Sequence, residues 1–600
     1  MSKTISNRTE IPEADKWDLS RLYPSPQEWE GDFQRLEQDY PKISQYQGRL
    51  GESAQTLLDY LELDKSLDLV AERLGHFAHL QTAEEGSNNE FLSREARLNH
   101  LFTRWAEAAS FVTPELQSFS DELFAERLKD PVLSAWTRRL ERLRRFKPHT
   151  LTQSEERLLA LAHPSLEGHS DTFGQLTNVD MRFPSISNEE GDSVELSHAA
   201  YSGFLLSPNR DVRKAAFHQY YSVFQGHRFT LASCLASSVR ADVFLARARN
   251  HSSALEAALF PDVVPVDLYK NLIASVRANL QPLHEYYQLR RRLLEVDEIH
   301  VYDTYVPVVR DVKKKTSFDE AIDLVCDSLH PLGEAYVSAL AKGLKDRWCD
   351  RYESRGKRSG AFSSSSYGNP PYILMNYQDD VFSDIYTLSH EAGHSMHTFL
   401  SMEAQTFQDY HYPIFLAEVA STFNEELLTH HLLQTTEDPK MRAYILNRQI
   451  DDIRATLYRQ TMFAEFEMII HEHEEAGEAL TLDAMTEQYH QLLQAYFGAD
   501  FVLDEELSLE CLRIPHFYSA FYVYKYATGI AAAMTLADEV LADQTGQACQ
   551  RYLKFLSSGG SQDPIPTLQA AGVDLLSPEP VERALKIFHQ RTQELETLLA

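Results

Sequence analysis

The sequence contains few cysteines, and none are paired in a way that would hold a metal or form a disulfide. The five cysteines are odd in number, widely scattered along 600 residues, and include no Cys-x-x-Cys pair. This pattern argues against a disulfide framework and against a zinc site made of thiolates. We therefore expect a protein of a reducing compartment, with a cytoplasmic location.

The sequence also lacks long hydrophobic runs and has an excess of acidic residues. The segment from Met1 to Asp18 is polar, without the apolar core of a secretion signal, and we expect no later segment to reach the roughly 18 apolar residues of a membrane span. Only 57 basic residues stand against 89 acidic ones, which gives a net charge of -32. Such a surface repels nucleic acid and anionic membranes, so we expect neither as a partner.

The remaining composition, with 43% hydrophobic residues, is that of an ordinary globular protein. Apolar residues recur at helical spacing through most of the chain, as at Leu57 and Leu61. The stretch from Asp180 to Leu196 departs from this pattern and predicts a small β-hairpin. We take this hairpin as the boundary between an N-terminal helical region, 1–195, and a second domain, 196–600.

Two further segments are predicted to be extended. Val301 to Val309 is rich in β-branched and aromatic residues, and Tyr372 to Tyr377 is an apolar run after a stretch of small residues. The sequence therefore predicts a mainly α fold with a small β-sheet.

The residues with the clearest chemistry form the pentapeptide His390-Glu391-Ala392-Gly393-His394. Apolar residues at helical spacing run through it, so it is predicted to lie within a helix. Residues four apart lie above one another on a helix, so both histidines can bind one metal ion. The glutamate between them projects beside that face, where it can accept a proton from water. So short a pattern also occurs in unrelated proteins, and more residues are needed to support a zinc site.

A second predicted helix supplies a third ligand. Glu418 lies 24 residues after His394, in the amphipathic stretch from Phe415 to Leu428. Catalytic zinc keeps three protein ligands, and two histidines with a glutamate are one known set. A third histidine ten residues after the first is excluded, because that position is Leu400. We therefore predict one zinc ion per chain, held by the two motif histidines and Glu418.

Three other groups of residues could support such a site or compete with it. Glu425 lies seven residues after Glu418 and could accept the second N–H of a ligand imidazole, although a solvated glutamate fits equally well. His397 continues the face of the motif histidines and either supports a ligand or is a buried histidine. The cluster from His471 to Glu475 is a rival metal site by composition, but alternate helical residues point in different directions.

The motif and its surroundings resemble a known family. His-Glu-Ala-Gly-His-Ser-Met-His from residue 390 and Ala-Glu-Val-Ala-Ser-Thr-Phe-Asn-Glu from residue 417 resemble the thimet-oligopeptidase-like zinc peptidases, most closely their oligoendopeptidase F branch. Further similarity runs from near Trp17 to about residue 530. The resemblance implies an elongated multi-helix metallopeptidase with two lobes around a deep substrate channel. It also implies that the substrate lies near Gly360 and Ala361.

The segment after Pro515 is the second part of the chain for which the resemblance implies a catalytic role. Proline can open a helix, on which Tyr518, Tyr522 and Tyr526 would recur every four residues. Such a stripe is more often core or interface than catalytic. The resemblance implies that His516, Tyr522 and Tyr526 donate hydrogen bonds to the substrate oxyanion, although the tyrosines match the family pair only after a shift of one residue.

The sequence thus predicts a zinc endopeptidase that hydrolyses internal bonds of short, unstructured oligopeptides, with Glu391 as the general base. A carboxypeptidase or dipeptidase of related fold is the alternative within the class. It would need a cationic group for the substrate's C-terminal carboxylate, which the sequence does not locate. A non-catalytic helical peptide-binding protein is the alternative from another class, but it would have no use for Glu391. The sequence does not predict the oligomeric state.

Overall fold

The computed structural model describes residues 5–309 and 314–600. The described residues are mainly helical, with two small β-sheets. This confirms the predicted fold class. The elongated outline with two lobes and a channel stays a prediction.

The helices and strands follow one another along the chain with mostly short connections. The α-helices of the described residues are, in chain order, α1 (Pro26–Asp39), α2 (Ala54–Glu84), α3 (Asn89–Ala109), α4 (Val112–Ser118), α5 (Asp121–Lys129), α6 (Thr137–Arg145), α7 (Gln153–Leu166), α8 (Gly168–Gln175), α9 (His198–Phe204), α10 (Arg210–Ala248), α11 (Ala254–Leu259), α12 (Val266–Ala278), α13 (Gln281–Leu293), α14 (Phe318–Ser328), α15 (Glu334–Lys345), α16 (Ser383–Ala404), α17 (Ile414–Thr435), α18 (Pro439–Ile453), α19 (Arg459–Ala476), α20 (Leu482–Phe497), α21 (Tyr524–Ala542), α22 (Gln547–Leu556), α23 (Pro564–Ala571) and α24 (Glu579–Leu599). The strands are β1 (Ser185–Ser187), β2 (Ser193–Glu195), β3 (Cys349–Asp350), β4 (Phe362–Ser364) and β5 (Tyr372–Leu374).

The chain divides into two compact units, each made of three separate stretches. Unit 1 comprises Met1–Thr150, Lys313–His431 and Leu536–Gly572, and unit 2 comprises Leu151–Val312, Leu432–Thr535 and Val573–Ala600. The boundary predicted between residues 195 and 196 coincides with none of these limits. The predicted hairpin is present as the antiparallel pair β1 and β2, but it lies inside unit 2. A hairpin marks a local break in the helical pattern. It does not mark the edge of a compact unit, because each unit is formed by contacts between stretches that are distant in sequence.

Helix α2 shows how the sequence builds the N-terminal core of unit 1. The Ser53 hydroxyl accepts a hydrogen bond from the Thr56 N–H at 3.0 Å and so caps the helix. Leu74 and Phe77 are buried in the core that α2 shares with α1 and α3. The Trp29 indole N–H donates to the Leu74 carbonyl at 3.2 Å, so the largest side chain of α1 is buried with its polar atom satisfied.

A three-stranded sheet in unit 1 leads into α16. The strand order is β3-β5-β4, and β5 pairs parallel with β3 and antiparallel with β4. All three residues of β5 are buried, whereas β4 lies at the edge of the sheet and is half-buried. The strand predicted between Tyr372 and Tyr377 is therefore confirmed over Tyr372–Leu374.

The predicted extended segment from Val301 to Val309 is wrong. The chain instead forms a 3-10 turn over Val301–Asp303. The Asp303 carboxylate is fully buried and accepts hydrogen bonds from Arg213 at 2.7 Å and from the His300 N–H at 3.1 Å. The turn brings the His300 N–H to the buried Asp303 carboxylate. This hydrogen bonding outweighs the strand preference of the β-branched residues in the segment.

Helix α10 corrects the expectation that no segment is apolar enough for a membrane span. By length and composition alone it could cross a membrane, with a mean hydropathy of 1.3 over 18 residues, 56% of which are buried within the protein. Phe224 and Leu235 of this helix are fully buried. The core helix of a soluble protein meets the same criterion, so α10 is weak evidence for a span.

Asp68 on α2 provides a test of how burial affects stability. The side chain is mostly buried and has no hydrogen-bond partner among the described residues, and burial, together with nearby Asp64, raises its pKa to about 7. Because the folded chain then binds a proton more tightly than the unfolded chain, stability falls as the pH rises from about 4 through 7. We expect Asp68→Asn to increase the free energy of unfolding by about 1 to 3 kcal/mol at pH 8 and by less at pH 5.

Urea unfolding at both pH values measures this difference. Asp59→Asn makes the same change at an exposed position of α2 and should alter stability little at either pH. An Asp68→Asn effect of equal size at pH 5 and pH 8 would contradict the raised pKa.

Candidate active site

The two motif histidines lie on α16 and the predicted third ligand lies on α17, and a close approach of these helices brings them together. A Cβ atom on Gly393 would lie 2.6 Å from the Ala420 carbonyl oxygen and 2.6 Å from the Ser421 Cα of α17. The Asn424 side-chain amide donates to the Ser389 carbonyl at 3.2 Å and joins the helices nearby. The glycine inside the motif is therefore explained by helix packing.

His390, His394 and Glu418 form a compact triangle of donor atoms. The two Nε2 atoms are 3.2 Å apart, and Glu418 Oε2 lies 3.5 Å from that of His390 and 3.8 Å from that of His394. Donors about 2.0 to 2.1 Å from a tetrahedral zinc ion lie about 3.3 Å from one another. The donor set and its spacing therefore fit zinc. Within residues 5–309 and 314–600, these three side chains are the one group of at least three His, Cys, Asp or Glu placed to hold a metal ion.

Glu425 of α17 orients the first ligand. His390 Nδ1 lies 2.7 Å from Glu425 Oε1, so the imidazole donates this N–H and keeps Nε2 free for the triangle. Burial lowers the pKa of His390, but the hydrogen bond and charge of Glu425 outweigh it and raise the pKa to about 9. Burial and the neighbouring His390 lower the pKa of His394 to about 3. In the metal-free protein at neutral pH, His390 is therefore protonated on Nε2 as well as on Nδ1, and metal binding must release the Nε2 proton.

Glu391 is buried beside the triangle but is not part of it. Its side chain is 6% exposed, and Oε2 has no hydrogen-bond partner among the described residues. Burial and the nearby carboxylate of Glu418 raise its pKa to about 7, while the charge of His390 and, more weakly, the Ser363 backbone oppose this change. An acid with a pKa near neutrality and a free oxygen atom is suited to accept a proton.

Ser363 of the edge strand β4 was missed by sequence reasoning. It lies opposite Ile373, whose N–H donates to the carbonyl of Trp348, the residue before β3, at 2.8 Å. The hydrogen bonds between β4 and β5 are therefore made by the residues on either side. The Ser363 backbone therefore points away from β5. Its hydroxyl is hydrogen bonded to that of Ser395 on α16 at 2.8 Å. The serine-rich composition around Ser363 is typical of a loop, so the sequence does not indicate that this residue lies on an edge strand.

Gly360 and Ala361 directly precede β4. Gly360 is exposed and has a φ of +82°, and its carbonyl accepts a hydrogen bond from the Asn376 amide at 2.9 Å. Ala361 is half-buried. Their role in substrate binding stays a prediction.

His397 lies in apolar packing rather than against a ligand. Its ring stacks on Tyr412 with centroids 3.6 Å apart, and Phe555 lies 5.2 Å away. Neither ring nitrogen has a hydrogen-bond partner among the described residues. His397 thus lies on the same helical face as the motif histidines, but its ring packs against Tyr412 and Phe555 and not against a metal ligand.

Unit 2 contains the second group of predicted residues. The rings of His516 and Tyr522 are nearly parallel at 6.2 Å, and Tyr526 lies 6.0 Å from the first and 5.4 Å from the second. All three side chains are half-buried. The structure therefore brings the three residues into one cluster.

The predicted continuous helix through these residues is wrong. Pro515–Tyr518 forms a 3-10 turn, and the chain resumes helical structure only at Tyr524, the start of α21. Tyr518 leaves the stripe and stacks on Phe173 at 4.3 Å. The rival cluster near residue 471 also forms no metal site, since His471 is buried and bonds the Glu467 carbonyl at 2.7 Å.

Sequence and structure comparisons give one consistent result. Residues 204–587 match the model of "Peptidase family M3", and residues 115–183 match that of "Oligopeptidase F". Oligopeptidase PepF of Bacillus subtilis is 41% identical over 99% of this chain and 89% of its own. The crystal structure of oligoendopeptidase-F from Enterococcus faecium is 34% identical, with a TM-score of 0.75 over 96% of this chain and 99% of that one. A chain described as a peptidase of Chlamydophila abortus is 36% identical, with a TM-score of 0.92 over 99% of this chain and all of that one (100%).

Proposed function

Because the chain belongs to peptidase family M3, in its oligoendopeptidase F branch, we propose that it cleaves oligopeptides with Glu391 as general base and one zinc ion per chain. The chain is a zinc metalloendopeptidase of this family. The triangle of His390, His394 and Glu418 is the single observation that carries the proposed ligand set.

The residues around the triangle have separate tasks. Zinc, when bound, polarises the scissile carbonyl and increases the acidity of water. Glu391 takes a proton from water at Oε2 and passes it to the leaving amine. Glu425 holds His390 in the tautomer that leaves Nε2 free. The Ser363 hydroxyl of β4 is hydrogen bonded to Ser395 and so ties the edge strand to the helix that carries Glu391.

The edge of the sheet is the proposed place for the peptide backbone. An extended peptide can add to an exposed strand edge through main-chain hydrogen bonds, largely independent of its side chains. The edge position of β4 and the direction of the Ser363 backbone support this placement next to Gly360 and Ala361. We propose His516, Tyr522 and Tyr526 as hydrogen-bond donors to the substrate.

We also propose a cytoplasmic location, without nucleic acid or membrane partners. All five cysteines are free, and four of them are buried, which suits a reducing compartment. The net charge of -32 opposes binding to polyanions.

Digestion of an unbiased oligopeptide mixture tests the proposed activity. We expect cuts at internal bonds of short peptides, mapped by mass spectrometry, and little cleavage of folded proteins. Sequential release of single residues or dipeptides from one end would instead assign the chain an exopeptidase activity.

The ligand set predicts the zinc content of variants. We expect His390→Ala and Glu418→Ala to lose most of their zinc after dialysis, because each removes one of three donors. Metal analysis measures zinc per chain, with about one expected in the unaltered protein. Glu403→Ala, at an exposed position of α16, is the control and should keep its zinc. If both ligand variants still bind one zinc ion tightly per chain, His390 and Glu418 are not its ligands.

The tyrosine cluster predicts a kinetic effect. A donor that acts mainly in the transition state lowers kcat and kcat/KM together when removed, by about 10² to 10³ for a strong oxyanion contact. We expect this for His516→Ala and for at least one of Tyr522→Phe and Tyr526→Phe in steady-state kinetics. Tyr518→Phe is the control, because this ring packs on Phe173 and should affect only the melting temperature. Full kcat in all three variants would exclude the cluster from catalysis.

A further inference from the structure

The loop before α21 is held by a buried acid on α19. Glu467 Oε1 accepts a hydrogen bond from the Phe521 N–H at 2.9 Å. Glu467 is 1% exposed, and its Oε2 has no hydrogen-bond partner among the described residues. Burying a carboxyl group costs free energy when one of its oxygen atoms lacks a hydrogen bond, so this half-satisfied contact to a loop backbone calls for an explanation.

Phe521 adopts a conformation that large side chains rarely take. Its φ of +56° lies in the left-handed region, where a bulky residue persists only if its surroundings impose it. Its ring is buried, 4.5 Å from that of His471 and 5.8 Å from that of Tyr269. Glu467 therefore fixes the backbone of a residue whose side chain is fixed by α12 and α19.

The inward turn of Phe521 determines where the next residue points. Phe521 and Val523 are buried, whereas Tyr522 between them is half-buried and faces the other side of the chain. On that side its ring lies beside those of His516 and Tyr526. The place of Tyr522 in the cluster thus depends on the conformation of the residue before it.

We propose that Glu467 is a positioning residue, whose buried carboxyl group holds Phe521 in the left-handed conformation and thereby fixes Tyr522 in the cluster, an inference that rests on the proposed function of that cluster. Glu467 itself touches no reacting group. It acts through the loop, by keeping one hydroxyl group where a substrate can use it.

The protonation state of Glu467 defines which substitutions preserve the contact. Burial raises the pKa of this carboxyl group well above its ordinary value and so favours its neutral form, and Oε1 accepts the hydrogen bond from the Phe521 N–H. Glutamine presents the same oxygen on a side chain of the same length. Methionine fills the same space without an acceptor, and aspartate withdraws the acceptor by one methylene.

A second buried acid on the same helix is a matched control. Glu465 of α19 is 8% exposed and bonds Arg277 at 2.8 Å and the Tyr496 hydroxyl at 3.1 Å. No hydrogen bond of Glu465 to Phe521 occurs among the described residues. Glu465→Met therefore disturbs the interior of α19 without releasing the loop.

The experiment combines kinetics with hydrogen exchange of the holoenzyme, both measured well below each variant's melting temperature. We expect Glu467→Met and Glu467→Asp to lower kcat about tenfold or more with little change in KM, because a displacement near 1 Å can cost up to about 10²-fold. Exchange of the peptide covering residues 519–524 should be faster in both. Glu467→Gln should behave like the unaltered enzyme, and Glu465→Met should lower the melting temperature alone.

A double variant tests whether Glu467 acts through Tyr522. If it does, Glu467→Met with Tyr522→Phe should have the kcat of Tyr522→Phe alone, since the second change removes what the first displaces. If the kcat reductions of Glu467→Met and Tyr522→Phe multiply in the double variant, the inference is overturned. An unchanged kcat and unchanged exchange in both Glu467→Met and Glu467→Asp would overturn it as well.

The outcome for the cluster itself is separate. Full kcat in Tyr522→Phe would remove the proposed role of this tyrosine, and with it the functional meaning of the contact, whatever the exchange rates. A reduced kcat in Tyr522→Phe with normal kcat in Glu467→Met would leave the cluster's role intact and overturn the positioning role alone.

Discussion

Replacing Glu391 by glutamine is expected to reduce peptide hydrolysis by about 10² to 10⁴ while leaving the zinc content unchanged. The amide cannot accept the proton that the carboxylate takes from water. Metal binding should persist, because the donor triangle consists of His390, His394 and Glu418 and does not include Glu391. Steady-state kinetics on a fluorogenic oligopeptide, together with metal analysis of the same samples, separate the two properties.

The Glu391→Gln protein should also fold at least as well as the unaltered one. Glu391 is 6% exposed and one of its carboxyl oxygens has no partner among the described residues, so a neutral amide removes a cost of burying charge. Glu403→Gln, at an exposed position of the same helix, is the control and should leave activity unchanged. Turnover near the unaltered level in Glu391→Gln would exclude this residue as the base, and loss of zinc would show that it contributes to metal binding.

The metal ligands could be predicted because their geometry is largely local. The four-residue spacing of His390 and His394 on one helix fixes two donors, and the chemistry of zinc restricts the choice of the third. Glu418 follows from these two conditions and from its position on a second amphipathic helix. Glu425, two helical turns further along on the same face as Glu418, contacts His390 as the spacing suggested.

The residues that sequence reasoning missed are those whose roles depend on contacts between distant segments. Ser363 contacts Ser395 of α16 because strand order places β4 at the sheet edge, which composition does not encode. Glu467 contacts Phe521, 54 residues further along the chain. His397 has the helical spacing of a supporting residue, yet it stacks on Tyr412. Periodicity specifies the face of a helix, whereas the element that packs on that face is set by the tertiary fold.

Gly393→Ala is expected to lower both the free energy of unfolding and the affinity for zinc, although Gly393 is not itself a metal ligand. The added Cβ would lie 2.6 Å from the Ala420 carbonyl and the Ser421 Cα, and a backbone cannot swing aside as the tip of a side chain can. α16 and α17 must therefore separate, which moves Glu418 away from the histidines. We expect a loss of about 1 to 3 kcal/mol in stability and a loss of about 10- to 100-fold in zinc affinity.

Chelator competition measures the zinc affinity, and unfolding of the metal-free protein measures the packing cost without the metal. Gly226→Ala is the matched control, because Gly226 lies within α10 and an added Cβ there meets nothing within 4 Å. This substitution should stabilise the protein by about 0.5 to 1 kcal/mol, since alanine is favoured over glycine inside a helix. Because the same propensity gain applies at Gly393, the difference between the two variants isolates the cost of the close approach. If Gly393→Ala matches Gly226→Ala in stability and keeps its zinc affinity, the approach of α16 to α17 does not hold the ligand triangle together.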